Sequence, residues 1–192
     1  EGKEECKLCK LGEKFINTVT EPAECLAGTF GSAPGVCSEC PSNSFAEEDG
    51  RKTSCEVVAI GMRFVSKKIA AQPCDVGTYG SAAGVCSDCG DNEYQTVEGQ
   101  TECKKVVLGS KFVSSSGEPV LCDTGTYGSE AGKCTPCGDN AYQTIKGQEL
   151  CKTAAIGSKF VSSTGEPTLC DAGSFGSAPG VCTTCATGMY QG

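Results

Sequence analysis

The feature that most constrains this chain is a cysteine pattern that returns every 48 or 49 residues. The octet Cys74-Asp75-Val76-Gly77-Thr78-Tyr79-Gly80-Ser81 recurs as Cys122 to Ser129 and as Cys170 to Ser177, and Cys25 to Ser32 precedes it. A period of this length marks an array of units that bury surface against their neighbours. Four cysteines, here called a, b, c and d, stand in fixed order in each unit: Cys25, Cys37, Cys40 and Cys55; then Cys74, Cys86, Cys89 and Cys103; then Cys122, Cys134, Cys137 and Cys151. The a-to-b and b-to-c steps are always 12 and 3, the c-to-d step is 15, 14 and 14, and d precedes the next a by 19. The last unit supplies Cys170, Cys182 and Cys185 and stops before its d.

The missing member stands at the other end. Glu1-Gly2-Lys3-Glu4-Glu5-Cys6-Lys7 matches Glu98 to Lys104, and Cys6 precedes Cys25 by 19, so Cys6 reads as a d cysteine. Passing from Tyr190-Gln191-Gly192 into Glu1 gives a c-to-d step of 13, nearly in phase. The expected organisation is the end of a split module plus an insert over 1–24, repeats over 25–73, 74–121 and 122–169, and the start of a truncated fourth over 170–192. Cys9 has no counterpart, since Val58, Val106 and Ala154 occupy its place. It reads as a free thiol, a partner for Cys6, or a cross-link to another chain.

Such a chain must be stapled because it has little oil. Leu, Ile, Val and Phe number 33 of 192 residues and Trp is absent, too little for a conventional core of this length. The 17 cysteines fill that role only where disulfides persist, so the expected location is extracellular or on a cell surface. The sequence opens at Glu1 without an initiator Met or apolar leader, as expected of a mature product or of a fragment whose signal peptide has been removed. Apolar runs such as Val57-Val58-Ala59-Ile60 are too short to span a bilayer, so no direct membrane insertion is expected. With 16 basic and 24 acidic residues the net charge is -8, and no basic cluster offers a face for phosphates; nucleic acid is excluded as a partner.

The twelve aromatics keep the same phase. Phe30, Tyr79, Tyr127 and Phe175 lie five after a; Phe45, Tyr94, Tyr142 and Tyr190 five after c; Phe15, Phe64, Phe112 and Phe160 nine after d. They read as small plugs against the disulfides, with none left over for a ligand pocket. Glycines recur at a+3, a+6 and a+10 (Gly77, Gly80, Gly84) and at d+6 (Gly12, Gly61, Gly109, Gly157), positions suited to turns or close backbone approach. In the insert, Lys105 to Ser114 reads as two short strands around a Gly109-Ser110 type II′ turn. The fold class is therefore small, disulfide-rich and mostly β-hairpin and loop, an elongated tandem array of about 48 residues per module. The shared C-x4-aromatic pattern after a and c favours a–b and c–d pairing, such as Cys74 with Cys86 and Cys89 with Cys103, while a–c with b–d stays open on spacing alone. Each bridge would contribute about 3 kcal/mol in the loop-entropy picture.

The pattern C-x2-G-[TS]-[YF], then C-x2-C, an aromatic, a Gly and a closing Cys, resembles the ephrin-receptor-like cysteine-rich repeats and the related tumour-necrosis-factor-receptor modules, which form long arrays in ciliate and other protist surface proteins. The matching residues are Cys74, Gly77, Tyr79, Cys86, Cys89, Tyr94, Gly99 and Cys103, with equivalents in every copy. The 18-residue insert between d and the next a departs from that pattern. The resemblance implies an extended extracellular rod, coat or recognition surface; it does not imply catalysis or name a ligand.

Chemical alternatives fare poorly. Each unit has a single C-x2-C and the chain has no His, which argues against structural zinc. A redox C-x2-C lacks its βαβ context. Without His there is no Ser-His or Cys-His arrangement, and Asp88, Asp91, Glu93 and Glu98 read as a solvated face. Asp91-Asn92 and Asp139-Asn140 read as turn residues, since no EF-hand spacing follows. No catalytic residue, metal ligand or cofactor is assigned, and the chain is not read as an enzyme. The clusters Ser114-Ser115-Ser116 and Ser162-Ser163-Thr164 are candidates for O-glycans on an exposed tip, against the plainer reading of polar turns.

Two functions are weighed. The first is a structural element, a filament, rod or surface coat built by head-to-tail continuation of modules, with the chain's own copies as partner through Cys185 and Cys6, or within a longer tandem chain. The second is a receptor or adhesin stalk that binds a protein partner. The near identity of the second and third units favours the first, and the divergent stretches Pro41 to Ser54 and Lys67 to Gln72 of the first unit are where a partner site would be sought.

Overall fold

The computed structural model describes residues 6–51 and 53–190. The expected match of Glu1 to Glu5 with residues 98–102, and the passage from Gln191-Gly192 into Glu1, lie outside the described residues. Among the described residues there is no helix, and 22 short strands pair into two-stranded antiparallel sheets. This is a small disulfide-rich β-hairpin fold, a cysteine-rich repeat.

Each repeat uses three hairpins. The a–b segment forms the longest, Thr78–Ala82 against Val85–Asp88, repeated as Thr29–Ala33 with Val36–Glu39, Thr126–Glu130 with Lys133–Pro136 and Ser174–Ala178 with Val181–Thr184. The c–d segment pairs Ser44–Phe45 with Glu56–Val57, Glu93–Tyr94 with Lys104–Lys105, and Ala141–Tyr142 with Lys152–Thr153. The insert pairs Glu13–Lys14 with Ala23–Glu24, Met62–Arg63 with Gln72–Pro73, Ser110–Lys111 with Val120–Leu121, and Ser158–Lys159 with Thr168–Leu169.

The insert corrects the hairpin expected over Lys105 to Ser114. Lys104–Lys105 pairs backwards with Glu93–Tyr94, and Ser110–Lys111 pairs forwards with Val120–Leu121. The turn between them explains why. Gly157 has φ 87 and Ser158 N–H donates to Ala155 O at 3.2 Å, as Met62 does to Ala59 around Gly61. Glycine thus sits third in the turn with the only positive φ, the type II arrangement, whose twist splays the flanking strands where a II′ turn would join them.

Seven disulfides tie these hairpins. Four join a to b: Cys25–Cys37, Cys74–Cys86, Cys122–Cys134 and Cys170–Cys182. Three join c to d: Cys40–Cys55, Cys89–Cys103 and Cys137–Cys151. The two members of each C-x2-C therefore go to different partners, which leaves no dithiol in the interior copies. Half-cystines are the core: Cys25, Cys40, Cys74 and Cys122 are at most 1% exposed, beside Val58, Val106 and Ala154 at d+3. Cys6, Cys9 and Cys185 are free, Cys6 exposed and the others half-buried.

The chain divides into two compact units, Glu1–Cys89 with Gln95–Cys103, and Gly90–Tyr94 with Lys104–Gly192. In the first, Phe30 packs against the buried cluster Cys40, Ala46 and Cys55, which is the plug role expected of it. Phe45 is buried as well, at 9% exposed, whereas Phe15 is 53% exposed, Phe175 47% and Tyr190 88%, and these three do not act as plugs.

Candidate functional site

Among the described residues no side-chain constellation with catalytic geometry stands out; what recurs is the joint between successive modules. It has three parts, each anchored by a backbone hydrogen bond and, in the second and third, lined by side chains as well.

First, the insert docks on the a–b hairpin that follows it. Phe15, Phe64, Phe112 and Phe160 N–H donate to Gly35, Gly84, Gly132 and Gly180 O at 2.9–3.0 Å. Behind this bond two segments of the chain touch glycine to glycine: a Cβ on Gly128 would overlap the Gly109 backbone, and Gly31, Gly80 and Gly176 meet Gly12, Gly61 and Gly157 in the same way. Only a residue without a side chain permits that approach.

Second, the c–d turn packs on the tip of the next a–b hairpin. Asn43, Asn92 and Asn140 hold left-handed φ of 54–56°, which asparagine tolerates better than most residues. Their carbonyls accept from Val58, Val106 and Ala154 N–H at 2.8–2.9 Å. Their side chains lie against Gly84, Gly132 and Gly180 of the following repeat. In the last copy Gly188, φ 89, holds the equivalent position.

Third, the turn of the next insert reaches back to the c–d hairpin. Ala46 N–H donates to Lys67 O at 2.9 Å, and Gln143 N–H to Ser163 O at 2.8 Å. A Cβ on Gly125 would stand 2.8 Å from Thr164 Cγ2, and one on Gly28 3.0 Å from Lys68 Cγ. Of the two serine clusters, Ser162 to Thr164 takes part in this joint; Ser114, Ser115, Ser162 and Ser163 are half-buried, while Ser116 and Thr164 are exposed.

Charge decorates the joints without building them. Lys67 Nζ lies 2.8 Å from Glu39 Oε2, and this ammonium holds the Glu39 carboxyl below its usual value. Lys146, 2.8 Å from Asp123, does the same there. At Tyr94, loss of solvation and the neighbouring Glu118 carboxylate push the phenol upward. Lys104 Nζ sits 5.7 Å from the Tyr94 ring centre and 4.0 Å from Glu118, so Tyr94, Lys104 and Glu118 form a surface triad.

Sequence reasoning missed the buried amides. Gln95 and Gln143, six after c, are 3% and 2% exposed. Gln143 Nε2 donates to Leu150 O at 2.7 Å while its Oε1 accepts from Ile145 N–H at 3.2 Å, and Gln95 does likewise with Glu102 O and Val97 N–H. Their recurrence at one repeat position was the available signal.

No family model matches the chain, and no similar sequence is found among curated proteins.

Proposed function

We propose that this chain is an extracellular structural repeat protein that builds a filament, rod or surface coat by head-to-tail continuation of its modules, in the manner of the ephrin-receptor-like arrays its cysteine pattern resembles. One observation carries the reading. The joint uses the same backbone donors and acceptors from copy to copy, so a module can follow another without any new recognition chemistry. Stability in such arrays is a sum of unit and nearest-neighbour contributions, which lets length grow without a new core. Seven disulfides suit an oxidising, extracellular setting.

Electron microscopy of native material tests this, together with labelling of intact cells by a membrane-impermeant amine reagent. Labelled filaments or a continuous coat are the expected result; labelled but monodisperse single chains would overturn it.

The stalk reading draws on one different observation, the ion pairs of the first repeat: Arg51 with Glu56 and Lys67 with Glu39 within it, and Arg63 with Asp75 at the start of the second. It predicts that a bound protein partner protects this repeat alone from hydrogen exchange.

A further inference from the structure

Each repeat is three consecutive loops of nearly equal length, and only two of them are closed by a covalent bond. In the repeat at 74–121, Cys74–Cys86 closes a loop with a separation of 12 and Cys89–Cys103 one of 14, with Cα atoms 5.6 and 5.7 Å apart. The third loop runs from Gly109 to Cys122, a separation of 13, and the same separation divides Gly12 from Cys25, Gly61 from Cys74 and Gly157 from Cys170. Hydrogen bonds alone close its neck. Cys25, Cys74, Cys122 and Cys170 N–H donate to Gly12, Gly61, Gly109 and Gly157 O at 2.8–3.0 Å. Two residue pairs follow, such as Ser110 opposite Leu121 and Lys111 opposite Val120.

The order of these loops decides where a pull along the chain goes. Tension entering at Cys74 crosses to Cys86 through sulfur, passes Ser87 and Asp88 to Cys89, crosses again to Cys103 and continues through the insert to Cys122. The a–b and c–d loops lie off that path and keep their length. The third loop lies on it. Because the chain enters and leaves at the neck, the load meets the hydrogen bonds one after another and is not shared among them. Little apolar burial opposes opening, since Val113 is 57% exposed, Val120 56% and Leu121 55%. Segments with few buried apolar contacts are the ones that open locally at small free-energy cost. The surface on which the loop docks survives its opening. Gly128 and Gly132 belong to a hairpin that Cys122–Cys134 keeps closed, so Gly132 O stays in place for the return of Phe112 N–H.

We infer that the array is an extensible, tension-bearing element in which each third loop opens and recloses on its own while the disulfide loops keep their length. This rests on the reading of the chain as a structural array and adds a mechanical role to it. The 13 residue steps from Gly109 to Cys122 span about 45 Å when extended, against about 5 Å across paired strands, so each opening adds about 40 Å. Covalent bonds then set a stop. Once the third loops are open, the path keeps only short segments, from Cys86 to Cys89 and from Cys103 to Gly109, with little slack to give. The array therefore lengthens by a bounded amount and retains the folded hairpins on which its loops close again.

The test is single-molecule force spectroscopy of the oxidised chain 1–192, held by handles at its two ends. The expected result is four reversible steps, one for each neck, Gly12–Cys25, Gly61–Cys74, Gly109–Cys122 and Gly157–Cys170, each with a contour gain of about 40 Å. Further steps should come only after a reductant opens the disulfide loops. Lys111→Cys with Val120→Cys joins two residues that lie opposite each other and should cut one step to about a third of its length while three stay unchanged. Gly128→Ala, which crowds the Gly109 backbone, is the second variant: it should lower the force of one step without changing its length. A chain of fixed length up to rupture of the handles, a single event that opens all four loops together, more than four steps without reductant, or four full steps in the stapled variant would each overturn the inference. A filament whose chains never step would overturn it and leave the filament reading in place, whereas unassociated single chains that step as expected would remove that reading alone.

Discussion

The first c–d loop, Pro41 to Ser54, and the third, Gly138 to Leu150, solve the same problem by different means. Both close through a disulfide, Cys40–Cys55 and Cys137–Cys151. The third adds Gln143, whose amide braces the loop from inside. The first puts the buried Ala46 there, packs Phe30 against it, spans one residue more, and ties its rim with Arg51 to Ser54 O and Glu56. A braced loop depends on directional bonds, whereas the first depends on its staple and a small apolar plug. What both share is the backbone grid of the joints, and that common part is what a repeat needs in order to be followed by another.

This contrast can be broken at several levels. The largest effect is expected from removing a staple. Cys40→Ala with Cys55→Ala should cost about 2–5 kcal/mol and leave residues 41–54 exchanging freely, whereas the Cys137→Ala, Cys151→Ala pair should leave part of 138–150 protected by Gln143. Hydrogen exchange by mass spectrometry separates the two; equal loss of protection would refute the bracing role. Next is the glycine contact. Gly128→Ala should destabilise by about 1–3 kcal/mol in urea unfolding through overpacking against Gly109, while Gly138→Ala, which faces open space, should be within about 0.5 kcal/mol of wild type. Of comparable size, Gln143→Ala should cost about 1–3 kcal/mol because the Leu150 carbonyl and Ile145 N–H lose a buried partner, and Gln143→Met should not rescue it.

The smallest effect is electrostatic. Glu39 titrates lower in the folded chain than its ordinary 4.5 because of Lys67. Its contribution is therefore present above that value and is lost as pH falls through the folded value. Lys67→Ala should raise the Glu39 value in an NMR titration and change stability little, since both groups are largely solvated. Lys146→Ala should raise Asp123 in the same way.

Much of this architecture was legible beforehand because cysteine spacing is a covalent record: the repeat and the hairpin class follow from positions such as Cys74, Cys86, Cys89 and Cys103, whereas spacing left a–c with b–d pairing open and only the shared C-x4-aromatic pattern favoured a–b with c–d. The insert was not, because Gly109-Ser110 read locally suits a II′ turn, and only long-range partners, Tyr94 on one side and Leu121 on the other, decide that Gly109 sits one place later in the turn. The joint was hidden for the same reason. Ser163 reads as an exposed polar residue until its carbonyl is seen to accept from Gln143, twenty residues earlier. The buried glutamines hide behind a polar side chain whose burial depends on a loop carbonyl that sequence alone does not place.

The most direct test of the account is the size of native material on denaturing gels with and without reductant, followed by intact mass. The account predicts species larger than one 192-residue chain, either a ladder that collapses to that chain on reduction or a longer chain carrying further modules of the same period. A single species with the mass of one chain in both lanes, and a monomer in native mass spectrometry, would contradict it.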